Sequence, residues 1–189
     1  MATKQEKAAV QIYQHKITLM DIKPPIWRRV ELKSDTTLYK LHDIIQVAMG
    51  WEDAHLHQFE KDGIMYGVPD PDFDLDLISE RRVRLNQLLL AEKDKMRYEY
   101  DFGDGWLHEI RLEKILAPEK GVKYPRCTKG KGACPPEDVG GVWGYAEFVE
   151  AINDPKHPEH KNFQEWIGED SFDPEAFDLE ETNAILRQV

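Results

Sequence analysis

The chain lacks long apolar runs and has few cysteines. Its longest uninterrupted apolar run is Leu88–Ala91, whereas a membrane-spanning helix needs about 20 apolar residues and a signal peptide an apolar core of about 7 to 15. Only two cysteines occur, Cys127 and Cys134, and reduced thiols are the default in a sequence without secretory features. We therefore expect a cytoplasmic protein with no membrane partner.

Positive charge is also in short supply. The chain has 25 Lys and Arg residues but 36 Asp and Glu residues, which gives a net charge of -11. Because nucleic-acid affinity depends largely on basic side chains that neutralise phosphates, this balance disfavours loose association with phosphate backbones. Local basic patches can still override it. The basic clusters are Arg28-Arg29, Arg81-Arg82 with Arg84, and the loop that holds Lys123, Arg126, Lys129 and Lys131.

No complete catalytic signature is present, and the P-loop pattern Gly-x4-Gly-Lys-Ser/Thr is absent. The composition, 41% hydrophobic and 32% charged, is that of an ordinary globular protein. A chain of 189 residues fits one domain, which buries roughly 70% of the surface that the unfolded chain exposes. We expect a single domain over residues 1–189, with a frayed polar start at 1–9.

The first third of the chain predicts two hairpins separated by a helix. Residues 10–19 and 26–32 alternate as strands do, and two prolines break the pattern between them. Thr36 or Thr37 caps a helix with apolar residues at three- and four-residue spacing, which ends at Gly50. Strands at 55–60 and 64–66 then flank a Gly-containing turn. This order predicts an α+β fold, an antiparallel sheet of hairpins with one packed helix in an α/β roll.

The remainder predicts loops and helices around one further hairpin. Residues 68–80 are acidic and predict a solvated loop, and a short helix is expected at about 85–92. Residues 117–142 are rich in glycine and proline and form the longest irregular segment. Loops of this length are usually functional or tied down, so this one is a candidate site. Residues 143–189 are predicted to be helical.

The most informative segment is Tyr98–His108, an aromatic and acidic hairpin about a Gly-Asp-Gly turn. A three-residue loop at 103–105 gathers the apolar side chains on one face, whereas a two-residue loop mixes them with charges. We therefore expect His108 on the packed face and Asp101 towards solvent. An aromatic stripe at strand spacing favours core over base stacking. The aromatic set is Trp51, Phe59, Tyr98, Tyr100, Phe102, Trp106 and Trp143.

One candidate metal site combines His55 and His57 with groups of the hairpin. Side chains at i and i+2 of a strand share a face, so both imidazoles can reach one ion, with Asp101, Asp104 or His108 completing the set. Such a site suits a divalent metal, Zn or Fe, and an open position would allow water activation. The competing interpretation is structural hydrogen bonding, because a packed imidazole needs only one partner.

A second zinc-type set consists of Cys127 and Cys134 with His157 and His160. The Cys-x6-Cys gap is wider, and the His-x2-His gap shorter, than the usual zinc spacings. Packed, reduced cysteines are the simpler interpretation. Cys127 as a nucleophile has no support beyond its residue type.

A third set of candidates binds anions or nucleic-acid phosphates. Glycines and lysines of the long loop can cradle phosphate through backbone N–H groups and charge, although the segment favours an exposed basic turn without a ligand. The candidate ligand-binding residues are Arg28, Arg29, Asp101, Asp104, Tyr124, Arg126, Lys129 and Lys131.

With these residues in view, the chain resembles the plasmid pRiA4b third-open-reading-frame family, over about residues 12–186. The resemblance implies an α+β fold and a history linked to plasmids and mobile elements, but no established reaction. Its matching pieces are Ile22–Arg29, Met49–Trp51, His55–Phe59, Tyr98–Asp104 with Trp106-x-His108, Tyr124-Pro125-x-Cys127, Cys134–Asp138, Gly140-Gly141, Gly144-Tyr145 and Asp173–Asp178.

Two functions follow as hypotheses. The first is a non-catalytic binding or interaction module of plasmid or mobile-element type that contacts nucleic acid or a mobile-element protein. The alternative is a metal-dependent hydrolase or nuclease that uses the His/Asp set. If the loop at 117–142 lies beside the hairpin, the two candidate regions merge into one pocket.

Overall fold

A computed structural model describes residues 10–69 and 77–189 of the chain. The expected frayed start and most of the acidic loop lie outside these ranges. The strands are β1 (Ile12–Leu19), β2 (Trp27–Lys33), β3 (His57–Lys61), β4 (Ile64–Gly67), β5 (Ile78–Ser79), β6 (Lys95–Tyr100), β7 (Trp106–Leu116) and β8 (Arg126–Lys131). The helices are α1 (Leu38–Met49), α2 (Leu85–Leu88), α3 (Gly141–Asn153), α4 (His160–Ile167) and α5 (Leu179–Leu186).

The strands of the described ranges form one sheet in the order β5-β4-β3-β6-β7-β1-β2-β8. Its neighbours are antiparallel except for the parallel pair β4 and β5. The predicted α+β class is confirmed. Helix α1 contributes buried Leu38, Leu41 and Ile45 to the same core as Ile17 and Val30 of the sheet. One face of the sheet is therefore packed against α1. The other face carries many charged side chains.

Helix α1 begins and ends where its capping residues predict. The side chain of Thr37 accepts a hydrogen bond from Lys40 N at 3.2 Å, and Gly50 closes the helix with φ 112°. Glycine adopts this left-handed conformation without the steric cost that a side chain brings. At the other end of the chain, Asp178 caps α5 by accepting from Glu180 N and Glu181 N. These boundaries are local and therefore readable from the sequence.

The hairpin of β6 and β7 has the predicted faces but not the predicted register. Tyr100 pairs with Trp106 and Tyr98 with His108, so the loop spans residues 101–105 rather than 103–105. The slip equals two residues and therefore preserves which side chains share a face. Phe102, expected in the core, is instead 44% exposed.

The long loop predicted at 117–142 contains a strand. β8 pairs with the outer edge of β2, where Arg29 lies opposite Lys129 and Val30 opposite Cys127. Cys127 is the single buried residue of β8, so the alternation that identifies a strand is nearly absent. Helix α2 also ends at Leu88, earlier than predicted. Across the described segments, no helix has the length and apolarity needed to cross a membrane.

Two buried histidines make stability depend on pH. Burial lowers the pKa of His15 to about 3 and the pKa of His108 to about 4, whereas both titrate near 6.5 when unfolded. Between about pH 6 and 4.5 these two side chains therefore bind nearly two more protons in the unfolded chain than in the folded protein. We expect them to lower the free energy of unfolding by up to about 2.7 kcal/mol per unit of decreasing pH, as measured by urea unfolding.

The variant His15→Leu tests this assignment, because both ring nitrogens of His15 are buried without a partner. Its loss removes the contribution of one histidine, so the slope should fall by about 1.4 kcal/mol per pH unit relative to the wild type. A slope that does not change in the variant would contradict the assignment.

Candidate functional site

Four side chains converge where the hairpin loop meets the segment before α3. The Nε2 atom of His55 lies 3.3 Å from Asp138 Oδ1, 3.6 Å from Glu137 Oε2 and 3.7 Å from Asp101 Oδ2. This nitrogen is buried and makes no hydrogen bond. We call these four residues the His55 cluster.

Asp101 is placed by the first residues of the hairpin loop. Its φ is 55°, and its Oδ1 accepts a hydrogen bond from Gly103 N at 2.9 Å. Its own backbone N donates to Leu56 O at 2.9 Å, which ties the hairpin to the segment that carries His55. Asp101 is therefore only 7% exposed, and its predicted position towards solvent is wrong.

Glu137 is oriented by groups from two other segments. Its Oε1 accepts from the Tyr100 hydroxyl and from Glu52 N, both at 3.0 Å. The Tyr100 hydroxyl in turn accepts from Ala54 N at 2.9 Å. Burial, followed by the adjacent Glu137 carboxylate, raises the pKa of Tyr100, so the hydroxyl remains a donor. The other oxygen, Oε2, lies 3.3 Å from the same hydroxyl and faces His55.

Backbone contacts fix the loop that supplies Glu137 and Asp138. Pro135 O accepts from the Trp51 indole at 3.0 Å, and Gly140 N donates to Asp104 Oδ2 at 3.1 Å. The side chain of Asp138 remains 71% exposed. The long loop and the hairpin thus form one site, with one open side.

A groove of about 910 Å³ adjoins the cluster and is lined in part by Gly103, Asp104 and Gly140. Gly141 belongs to the same wall, where its φ of 68° and the close approach of Asp104 O, 2.5 Å from a Cβ added at Gly141, leave no room for a side chain. The hydroxyl of Tyr145 is buried in this wall without a hydrogen-bond partner. Burial raises the pKa of Tyr145 to about 12, so this hydroxyl stays neutral.

The His55 cluster has the spacing of ligands around one ion. Two ligand atoms each about 2.1 Å from a metal, at angles of 90° to 109°, lie roughly 3.0–3.4 Å apart. The three distances from His55 Nε2, between 3.3 and 3.7 Å, match or slightly exceed this range. The ligand atoms of His55, Asp101 and Asp138 all lie within 4.8 Å of one another. The cluster can hold a divalent cation.

His57, predicted to share a metal with His55, belongs to a different network. Strand β3 begins only at His57, so the rule that places i and i+2 on one face does not extend to His55. His57 Nε2 lies 2.9 Å from the fully buried Glu80, and its ring stacks on His42 at 3.5 Å.

His42 is held on both ring nitrogens. Nδ1 lies 2.8 Å from the Tyr98 hydroxyl and Nε2 lies 2.8 Å from Asp53. Although His42, Asp53 and His57 are close enough to hold an ion, both ring nitrogens of His42 and Nε2 of His57 already have partners. Burial, followed by the neighbouring His57, lowers the pKa of His42. This network is a structural one.

His108 also lies away from His55. It is fully buried, and its Nδ1 lies 2.9 Å from Trp106 O. Its ring packs against Trp51 and Tyr98. The predicted trio of metal-binding histidines is therefore not brought together, and His55 alone faces the carboxylates.

The predicted anion-binding residues are dispersed in the fold. Arg28 is buried and donates to four backbone carbonyls, so it is not available to a ligand. On the other face, Arg29 pairs with Glu113 at 2.6 Å. Lys129 is exposed. The rest are held locally: Arg126 by Glu31 and Glu119, Lys131 by Glu175, and the Tyr124 hydroxyl by Glu119 N.

The two cysteines and their histidines do not form a zinc site in the described parts of the chain. The metal-sized groups found there contain no cysteine, and His160 Nδ1 lies 2.9 Å from Ala151 O. Burial raises the pKa of both Cys127 and Cys134. A thiol that resists ionisation is a poor nucleophile and a poor ligand.

The fold and the site define an α+β protein with a carboxylate-rich cluster at the end of its central hairpin. Residues 11–181 match the family model described as plasmid pRiA4b ORF-3-like protein. The chain is 40% identical over 175 residues to the uncharacterized protein y4hQ of Sinorhizobium fredii (strain NBRC 101917 / NGR234), covering 90% of this chain and 88% of that protein. The chain belongs to the plasmid pRiA4b ORF-3-like family.

A solved structure agrees with this membership. The crystal structure of a protein of unknown function, MM3350 from Methanosarcina mazei Go1, is similar with a TM-score of 0.81 and 41% identity. The match covers 91% of this chain and 97% of that chain. These relatives are uncharacterised, so the function of this chain has to be argued from its own site.

The His55 cluster joins three of the segments on which the family resemblance rests. His55 comes from His55–Phe59, Asp101 from Tyr98–Asp104, and both Glu137 and Asp138 from Cys134–Asp138. Sequence reasoning named the first two residues as candidate ligands and missed the other two. Glu137 and Asp138 lie in the long loop at 117–142. The length of this loop made it a candidate site, but no feature of the sequence pointed to these two residues within it.

Proposed function

We propose that this protein binds a divalent transition-metal ion through the His55 cluster. The observation that carries the proposal is the buried, unpartnered Nε2 of His55, which faces carboxylate oxygens of Asp101, Glu137 and Asp138 at 3.3 to 3.7 Å. A buried polar atom without a partner is costly, and like charges held together repel. A dication offsets both costs at once.

The ligand chemistry favours a first-row metal. The imidazole of His55 and the carboxylates of Asp101 and Asp138, whose ligand atoms lie within 4.8 Å of one another, suit Zn²⁺, Fe²⁺ or Mn²⁺, with Glu137 as a further candidate ligand. Ca²⁺ and Mg²⁺ prefer oxygen ligands throughout. His57 and His108 are left out of this set. His57 pairs with Glu80, and His108 is fully buried against Trp51 and Tyr98. The proposal thus retains a Zn- or Fe-type metal and changes which residues hold it.

The open side of the cluster supports metal-dependent ligand binding. Asp138 is exposed, and Gly103 both donates to Asp101 and lines the adjoining groove. A ligand in the groove would lie beside Gly103, which contacts Asp101 of the cluster. This arrangement fits a binding module, and a partner that belongs to a plasmid or mobile element remains a proposal.

Metal-dependent hydrolysis is the second candidate function. The groove favours it, because a metal-activated water needs an adjoining space of this kind in which to meet a substrate. Release of product from model phosphate or carboxylic esters, dependent on added metal, would separate hydrolysis from binding alone.

Metal binding is tested with protein purified without chelator or affinity metal. We expect elemental analysis and calorimetric titration with Zn²⁺, Fe²⁺ and Mn²⁺ to show one ion per chain, and the bound ion to raise the melting temperature. The variant His55→Ala should lose affinity by more than about 100-fold, since loss of a group that only supports a ligand already costs 10- to 100-fold.

The matched control is His157→Ala, which removes a histidine from the C-terminal part of the chain and should bind like the wild type. If the wild type neither contains nor takes up a metal, or if both variants lose affinity equally, the proposed function is wrong.

A further inference from the structure

The register of the sheet places five basic residues in one line across five neighbouring strands. Lys95 pairs with Arg111, Arg111 with Lys16, Lys16 with Arg29, and Arg29 with Lys129. Adjacent strands lie about 4.8 Å apart, so the line is roughly 19 Å long. We call it the basic row. It runs over β6, β7, β1, β2 and β8, and residues far apart in sequence build it.

The basic row lies on the face of the sheet that α1 does not cover. Its sequence neighbours Met96, Ile110, Ile17 and Val30 are buried, and successive strand residues point to opposite faces. The outward positions of these five strands hold ten basic and four acidic side chains, which gives this face a net charge of +6 on a protein of net charge -11. The basic ones are Lys16, Arg29, Lys33, Lys95, Arg97, Arg111, Lys114, Arg126, Lys129 and Lys131, and the acidic ones are Glu31, Glu99, Glu109 and Glu113.

Part of this charge is neutralised within the face, and part is not. Glu109 pairs with Lys95 at 2.6 Å and with Arg111 at 3.1 Å. Among the residues that the structure describes, Lys16 and Lys129 make no ion pair. Two of the five cations in the row are thus available to an anionic partner.

Trp27 adds an aromatic surface beside the row. Lys16 Nζ lies 4.9 Å and the Arg29 guanidinium 5.3 Å from the centre of its ring, and Lys131 lies opposite it on β8. Aromatic side chains set among cations along a groove or face bind single-stranded nucleic acids, because every base has a face to stack. Binding to a membrane surface requires an extended apolar face, whereas the outer face of this sheet is charged.

We propose that the outer face of the sheet binds single-stranded nucleic acid, with the backbone along the basic row and a base stacked on Trp27. The row supplies phosphate contacts in a line, and the outward charge of the face opposes the acidic character of the whole chain. The strand register, the charge of the face and the contacts of Trp27 carry this inference, which is independent of the His55 cluster.

The test compares two charge-reversal variants of the full chain by fluorescence anisotropy with a short labelled oligothymidylate. Lys16→Glu with Lys129→Glu alters the basic row. Lys156→Glu with Lys161→Glu makes the same change of net charge at exposed positions of the helical part. We expect the first pair to weaken binding at least about tenfold, and the magnitude of the slope of log affinity against log salt to fall by about 1.4, for two lost contacts with a single strand.

Three outcomes would overturn the proposal. They are no binding by the wild type at low salt, an equal loss in both double variants, and tighter binding to duplex DNA or to vesicles of anionic lipid than to the single strand. Circular dichroism checks that the variants are folded. If the reversal of charge unfolds the protein, Lys16→Gln with Lys129→Gln removes the same contacts, and an unchanged affinity there is equally decisive.

Discussion

Replacing Arg28 by Met lowers the free energy of unfolding by about 3–5 kcal/mol, because each buried backbone carbonyl left without its donor costs about 1–3 kcal/mol. The guanidinium of Arg28 is buried and donates to Ala48 O, Lys131 O and Gly132 O at 2.7 to 3.0 Å, as well as to Trp27 O. It therefore joins β2 to the end of α1 and the end of β8. Met fills much of the volume and leaves these carbonyls without donors.

The adjacent Arg29→Met is the matched control. Arg29 lies on the outer face and pairs with a partly exposed Glu113, and such surface pairs contribute about 0–1 kcal/mol. Urea unfolding of both variants measures the difference. If the two losses were equal, Arg28 would not have the structural role that its contacts indicate.

Replacing Asp101 by Asn lowers metal affinity by about 100-fold, while metal-free stability changes by less than about 1 kcal/mol. Asparagine tolerates the positive φ of this position, and its carbonyl oxygen can still accept from Gly103 N. The substitution removes only the negative charge and one carboxylate ligand. Titration calorimetry and thermal unfolding without metal separate the two effects.

Asp104→Asn makes the same chemical change three positions along the chain. Asp104 accepts from Gly140 N and lies outside the His55 cluster, so this variant should retain most of the affinity. Wild-type affinity in Asp101→Asn, or an equal loss in both variants, would contradict the assigned ligand set.

The periodicity of the sequence correctly separated the faces of the hairpin but did not set its register. Tyr98 and His108 share the packed face because side-chain direction repeats every two residues. The loop length depends on Asp101, whose backbone N bonds to Leu56 O in another segment. A hydrogen bond between distant segments does not affect the periodicity of the sequence. The sequence therefore predicts the shorter loop, 103–105, and not the observed loop, 101–105.

The candidate site was only half predictable for the same reason. His55 and Asp101 stood out by residue type and by their place beside the hairpin. Glu137 is a candidate ligand because a hydrogen bond from Tyr100, 37 residues away in the chain, orients its carboxylate towards His55. Such a contact depends on β8 and the loop after it, and β8 has too little alternation to be recognised.

The sequence by itself determined the α+β class, the ends of α1 and α5, and the face of each side chain in the main strands, because caps and periodicity act over a few residues. Tertiary structure decided which of the three candidate histidines faces a group of carboxylates. His57, His108 and His55 are alike as residues, but Glu80 lies at His57 and Trp106 O at His108. Only His55 meets three carboxylates, because hydrogen-bond partners and burial are set by contacts between segments that the chain order keeps apart.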